Sequence, residues 1–78
     1  MSVTVRLWAG VKEAAGQAEV TVDGATVAEV RAALATAVPA IAERLGYCRY
    51  ALDDAFVADD AAVPDGATMD VIPPVSGG

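Results

Sequence analysis

Apolar and polar residues alternate along "VTVRLW" at residues 3–8, which puts Val3, Val5 and Leu7 on one side and Thr4, Arg6 and Trp8 on the other. A period of two is that of a half-buried strand. After a loop around "KEAAG", the run "AEVTVD" repeats the alternation with Val20 and Val22 turned inward. The two runs therefore form a hairpin with a long connection.

The period changes in "DGATVAEVRAALATAV". Gly24 ends the strand, Thr26 is placed to cap a helix, and Glu29 three positions later completes a capping box. Val27, Val30, Leu34 and Val38 recur at helical spacing and supply one stripe for a core. Pro39 disfavours helical backbone at Val38, and "AIAERLG" adds a short helical turn stopped by Gly46.

Strand-like pieces then return. "RYALD" and "AFVAD" are parted by acidic turn residues, "VPDG" is a type I turn with Pro64 second and Gly66 fourth, and "TMDVI" is the last strand. The order β-β-α-β-β-β predicts an α+β roll over residues 1–72, with one main helix packed on one face of the sheet.

A chain of 78 residues holds one domain, and at this size only roughly 60% of the unfolded surface is buried, which leaves no room for a large internal pocket. The composition is 55% hydrophobic with 5% aromatics, so Val, Leu, Ile and Ala must build the core, and the balance argues against disorder. Eleven Asp and Glu against five Lys and Arg give a formal charge of -6. Such a chain is repelled by phosphate backbones and anionic lipid, so no nucleic acid and no membrane is expected as partner; a protein with basic patches fits better. No apolar stretch approaches the ~20 residues a bilayer requires, and "MSVTVRLW" lacks the plan of a secretion signal, so a cytoplasmic location is expected.

There is no His, and Cys48 is the lone cysteine. An internal disulfide, the usual zinc ligand sets and the usual general base are thereby missing, and most enzyme chemistry within this chain alone is excluded. No metal site is expected. Cys48 in "GYCRY" has apolar neighbours and reads as a small half-buried residue rather than a reactive thiol.

The sheet face opposite the helix carries more information. Asp70 and Ile72 alternate with Met69 and Val71, and a right-handed crossover would make the first and last strands neighbours, bringing Trp8 and Ile72 together. Either they are scattered surface hydrophobes or they form a docking patch. Burying a tryptophan removes on the order of 200 Å² from water at ~25 cal/mol/Å², and the adjoining tail favours docking. Phe56 is a third candidate. Asp53, Asp54, Asp59, Asp60, Asp65 and Asp70 lack the ligand spacing of a calcium loop and read as turn-forming residues on a solvated rim.

The tail, residues 73–78, is "PPVSGG". Pro73 and Pro74 favour an extended path, and six residues at ~3.1 Å each reach roughly 20 Å. Gly77 and Gly78 present a carboxylate on a backbone without Cβ atoms, slim enough for a narrow channel. A carboxylate becomes electrophilic once activated as a mixed anhydride with AMP, after which a sulfur or nitrogen nucleophile displaces the nucleotide. A terminus of this kind is the substrate of a partner's active site; the plain alternative is an inert, frayed end.

Over essentially the whole chain the sequence resembles the small subunit of molybdopterin synthase, the MoaD type of ubiquitin-like β-grasp sulfur carriers in the MoaD/ThiS family. "VRLWAGVKEAAG" is similar to that family's opening strand and loop, "TVAEVRAAL" to its helix, and "VPDGATMDVIPPVSGG" to its closing strand and tail. "LDDAF" stands where many relatives carry an Asn, and "GATMDV" replaces a commoner Gly-Asp start. The resemblance implies that an ATP-dependent activating enzyme of MoeB type adenylates Gly78, which is then converted to a thiocarboxylate. It further implies insertion into a large catalytic subunit of MoaE type, where sulfur passes to a cyclic pterin phosphate precursor to form the dithiolene of molybdopterin. No cofactor would be bound permanently. Trp8 and Ile72, with Phe56, would belong to the subunit interface, and Pro73, Pro74, Val75 and Ser76 would lead Gly77 and Gly78 to the partner's site. Carriage of sulfur for thiamine thiazole or cysteine, and a ubiquitin-like interaction module with an inert tail, are the other two readings.

Overall fold

The computed structural model describes residues 1–74. Among them the chain forms β1 (Ser2–Leu7), α1 (Ala9–Ala15), β2 (Glu19–Asp23), α2 (Val27–Ala37), β3 (Arg49–Leu52), β4 (Ala55–Val57) and β5 (Thr68–Ile72), with 3₁₀ turns at Pro39–Ile41 and Arg44–Tyr47. The strands make one mixed sheet in the order β2-β1-β5-β3-β4. β1 and β5 run parallel, and the other neighbours are antiparallel. The last strand thus lies in the middle, and Pro73 and Pro74 leave from the centre of the sheet.

Alternation sorts the sheet as expected. Val3, Val5, Leu7, Val22, Tyr50, Met69 and Val71 are buried, and they pack with Val27, Val30 and Leu34 of α2. Val20, on the same edge strand as buried Val22, is only half-buried. Val38, Ile41, Leu45 and Val63 close the margins of this core.

The N-terminus of α2 shows why the helix begins where it does. Its first N–H groups have no partner within the helix. Thr26 Oγ1 accepts from the Glu29 N–H at 3.2 Å, as the capping box read from the sequence requires, while Glu29 Oε1 reaches one residue past the cap and accepts from the Ala25 N–H at 3.0 Å. Val27 and Ala28 donate to the carbonyls of Ala61 and Asp59, at 3.1 and 2.9 Å. Arg31 then grips Asp59 through two bonds of 2.7 and 2.9 Å. The segment after β4 is therefore a second cap, supplied from a distance.

Four local expectations need correction. The "KEAAG" loop is part of helix α1, whose seven residues bury Val11 and end on Gly16 in the left-handed region at φ 73°. Alanines favour the helix, and a glycine with positive φ stops it. "AIAERLG" forms two 3₁₀ turns, and Gly46 lies inside the second instead of stopping it. The turn after Val63 spans Pro64 to Ala67, closed by a 3.1 Å bond. Gly66 is thus third, at φ 82°, the position that needs glycine in a type II turn.

Asp70 is the fourth correction. It is no rim residue, since only 9% of it is exposed in the middle of β5. Other aspartates do turn the chain: Asp53 and Asp54 adopt φ 50° and 66° between β3 and β4, as a two-residue hairpin loop requires. Asp65 accepts from the Ser2 N–H at 2.7 Å.

Candidate functional site

The face away from α2 is built by the strand registers. Arg6 pairs with Asp70 across β1 and β5, Asp70 with Ala51 across β5 and β3, and Ala51 with Phe56 across β3 and β4. The same parallel register, continued one step past Leu7 and Val71, sets Trp8 beside Ile72, and Ile72 pairs with Arg49. Trp8 lies just beyond β1, with backbone still extended at φ -128° and ψ 152°, so it continues the alternation.

Asp70 organises the middle of this face. Its Oδ1 accepts from Arg6 Nε at 2.7 Å and from Trp8 Nε1 at 3.0 Å, while Oδ2 accepts from Arg6 Nη2 at 3.2 Å. The Arg6 guanidinium lies 5.4 Å from the centre of the Trp8 ring. Hydrogen bonding from Arg6 holds the Asp70 carboxyl below its usual range, against the opposing effect of burial, and the Trp8 bond reinforces it. Each of the two carboxylate oxygens is satisfied, as a buried charge requires.

Trp8 and Ile72 are thus brought together as expected. Trp8 remains 46% exposed and Ile72 half-buried. Phe56 shares their face but sits on the edge strand, linked to them through Arg49, whose guanidinium lies 4.1 Å from the Phe56 ring centre. The exposed apolar groups therefore form a band across one end of the sheet, bridged by an arginine.

Pro73 and Pro74 follow directly from Ile72 and line a cavity of about 170 Å³ with Gly10, Val11, Arg44, Tyr47 and Cys48. Cys48 is half-buried there; its thiol donates to the Arg44 carbonyl at 3.2 Å, and burial pushes its pKa up. That environment suppresses the thiolate and agrees with a packing role. Val75, Ser76, Gly77 and Gly78, the remaining tail positions singled out in the sequence, lie outside the described residues.

Sequence reasoning missed Arg6, Arg49 and Asp70. A signal was present: Asp70 shares the parity of Ile72, and Arg6 that of Trp8. Only the register shows that these positions meet. Among the described residues no group of three or more His, Cys, Asp or Glu is placed to hold a metal, and no helix is long and apolar enough to cross a membrane.

The ThiS family model matches residues 5–78. The chain belongs to the ThiS family. This is a family of ubiquitin-like sulfur carriers with the β-grasp fold, small proteins of the ThiS/MoaD type. Solved structures agree with it. SAMP1 from Haloferax volcanii is 30% identical, with all of both chains covered and a TM-score of 0.90. A chain of the complex of subunits 1 and 2 of molybdopterin-converting factor from Helicobacter pylori is 28% identical, again over all of both chains, with a TM-score of 0.75. The BexX/CysO complex from Amycolatopsis orientalis contains a chain 27% identical, covering 97% of this chain and 99% of that one, with a TM-score of 0.83. No curated protein sequence matches the chain. In this ThiS-family carrier α2 is the main helix of the fold, and Gly10 and Val11 of the short α1 line the cavity that Pro73 and Pro74 border.

Proposed function

We propose that the chain carries sulfur for molybdopterin synthesis as a thiocarboxylate on Gly78. An activating enzyme of MoeB type uses ATP to adenylate the Gly78 carboxylate, with pyrophosphate leaving. A sulfur nucleophile then attacks the acyl carbon and displaces AMP. The chain docks through Trp8, Ile72 and Phe56 onto a large catalytic subunit of MoaE type. There the tail delivers sulfur to a cyclic pterin phosphate precursor, and the dithiolene is formed. Catalysis belongs to the partner, and the carrier contributes the docking face, the spacer Pro73–Ser76 and the acyl group that is activated.

The observation that carries this reading is the likeness, over the whole of both chains, to a subunit of molybdopterin-converting factor. The docking face supports it, because Trp8 and Ile72 stand together where the chain passes into Pro73 and Pro74. A second reading, carriage of sulfur to another acceptor such as the thiamine thiazole or cysteine, is favoured by the higher TM-scores of SAMP1 and the CysO complex.

The test is intact mass after incubation with ATP, an activating enzyme of this family and a sulfur source. Exchange of one oxygen for sulfur in the C-terminal peptide is expected. An unchanged mass, with an enzyme proven on another carrier, overturns the carrier role. Adding the large molybdopterin synthase subunit and its pterin precursor then separates the readings, since dithiolene formation belongs to the first alone.

A further inference from the structure

We propose that Asp70 is a positioning residue for partner recognition, fixing the Trp8 indole and the Arg6 guanidinium in one arrangement on the open sheet face before any partner arrives. The inference rests on the reading of that face as the docking face, and it adds the residue that shapes it.

The exposures are ordered as this role requires. The Asp70 side chain is 13% exposed, whereas Arg6 is 44% and Trp8 46% exposed. The carboxylate lies beneath, and the two groups it holds lie above it towards solvent. Nothing in a central strand calls for a charge at such a position, and burying one is unfavourable unless it is fully paired. Here three hydrogen bonds satisfy it, and two of the three come from one planar guanidinium.

A long arginine and a surface tryptophan would otherwise sample several rotamers and lose that freedom on binding. Held by one carboxylate, they have lost much of it already. The arrangement also defines the surface it fits. The indole N–H is occupied by Asp70, so the slot that receives the ring needs apolar walls and no acceptor at that edge. Arg6 binds Asp70 through Nε and Nη2, and among the described residues its Nη1 makes no hydrogen bond. The complementary site is therefore an apolar slot edged by an acceptor oxygen for Arg6.

Trp8 is the sole tryptophan, so its local motion can be read in the full chain without a label. Time-resolved fluorescence anisotropy is measured on the wild type, Asp70→Ala, Asp70→Val and Asp70→Asn, with circular dichroism to confirm folding. Faster local depolarisation is expected in Asp70→Ala and in Asp70→Val, the latter a better strand former that still cannot accept a bond. Asp70→Asn keeps an acceptor for the indole and is expected to lie between them and the wild type. Wild-type motion of Trp8 in both apolar variants overturns the proposal, whatever the partner does.

Affinity for the large molybdopterin synthase subunit supplies the second arm. Asp70→Ala is expected to weaken binding about tenfold, equivalent to ~1.4 kcal/mol. In a Trp8→Ala background the same substitution should add no more than about twofold, because it acts largely through the ring. A full tenfold effect in that background overturns the role assigned through Trp8. If Trp8→Ala and Ile72→Asp both bind as tightly as wild type, the docking reading itself fails, and the anisotropy decides the preorganisation separately.

Discussion

Asp70 has a depressed folded-state pKa, and the sign of its effect on stability follows. Its contribution is complete above the unfolded carboxyl value of about 3.9 and is lost as pH falls through the lower folded value. Melting temperature against pH, for wild type and Asp70→Asn, should therefore show a wild-type advantage at neutral pH that begins to shrink below about pH 4 and is gone once the pH lies below the depressed folded value. A gap that stays constant down to pH 2, a chosen endpoint on the order of two units below the reference carboxyl pKa, would count against the shift. Gly24 gives a different residue-scale prediction. A Cβ there would lie 2.7 Å from Val30 Cγ2 and 2.8 Å from the Val30 backbone N, so the clash involves backbone that cannot swing aside. Gly24→Ala is expected to destabilise by about 1–3 kcal/mol in chemical denaturation. Gly24 was read from the sequence as a strand breaker; its tighter constraint is the approach of α2 to the end of β2, which no local pattern contains.

At the scale of elements, α2 owes its start to local and distant caps together. Thr26→Ala removes the acceptor for the Glu29 N–H, while the carbonyls of Asp59 and Ala61 remain in place. A loss of ~1 kcal/mol is expected from thermal melts. The loss should grow when Arg31→Ala is added, since the Arg31–Asp59 pair holds the segment that supplies those carbonyls. Additive effects in the double variant would show that the two caps act independently. Helix α1 illustrates the opposite case, a short element with weak internal support. Its seven residues are held by one buried side chain, Val11, and by a glycine stop. Seven residues are too few for a helix to persist alone, so the sequence pattern there is readable as either loop or helix, and contact with the core decides.

At the scale of the whole molecule, the fold sets a docking face and an exit point on the same central strand. β5 holds Asp70 and Ile72 on the open face, and Pro73 and Pro74 continue from it. Deleting Gly78 is expected to abolish sulfur loading while leaving the circular dichroism spectrum and melting temperature unchanged, because the core ends before the tail. Loading of the shortened chain would refute Gly78 as the acyl carrier. Trp8→Ala and Ile72→Asp should each weaken association with the large subunit by about tenfold or more, read by calorimetry. Unchanged affinity in both would remove this face from the interface. The acidic balance, -6 over 78 residues, makes the association sensitive to salt if the partner presents basic groups.

Periodicities of two and near 3.6 are local properties, so the five strands, the main helix, its Thr26 cap and the centre of the apolar core were readable along the chain, whereas Val11, Ile41, Leu45 and Val63 at its margins were not. The tail motif carried the family resemblance for the same reason, because it is contiguous. The two turns and α1 departed from expectation by small shifts, where short segments take their backbone from what they pack against. The site divides in the same way. Trp8, Ile72 and Phe56 could be named from alternation, and Asp70 could be set on the face of Ile72, but its role stayed hidden among the turn-forming aspartates until β5 was inserted between β1 and β3. Parity tells which face a side chain occupies; only long-range pairing tells who its neighbour is. A carboxylate 64 residues away from its arginine acquires its meaning from that pairing, because hydrogen bonds act across the fold and leave no trace in the local pattern.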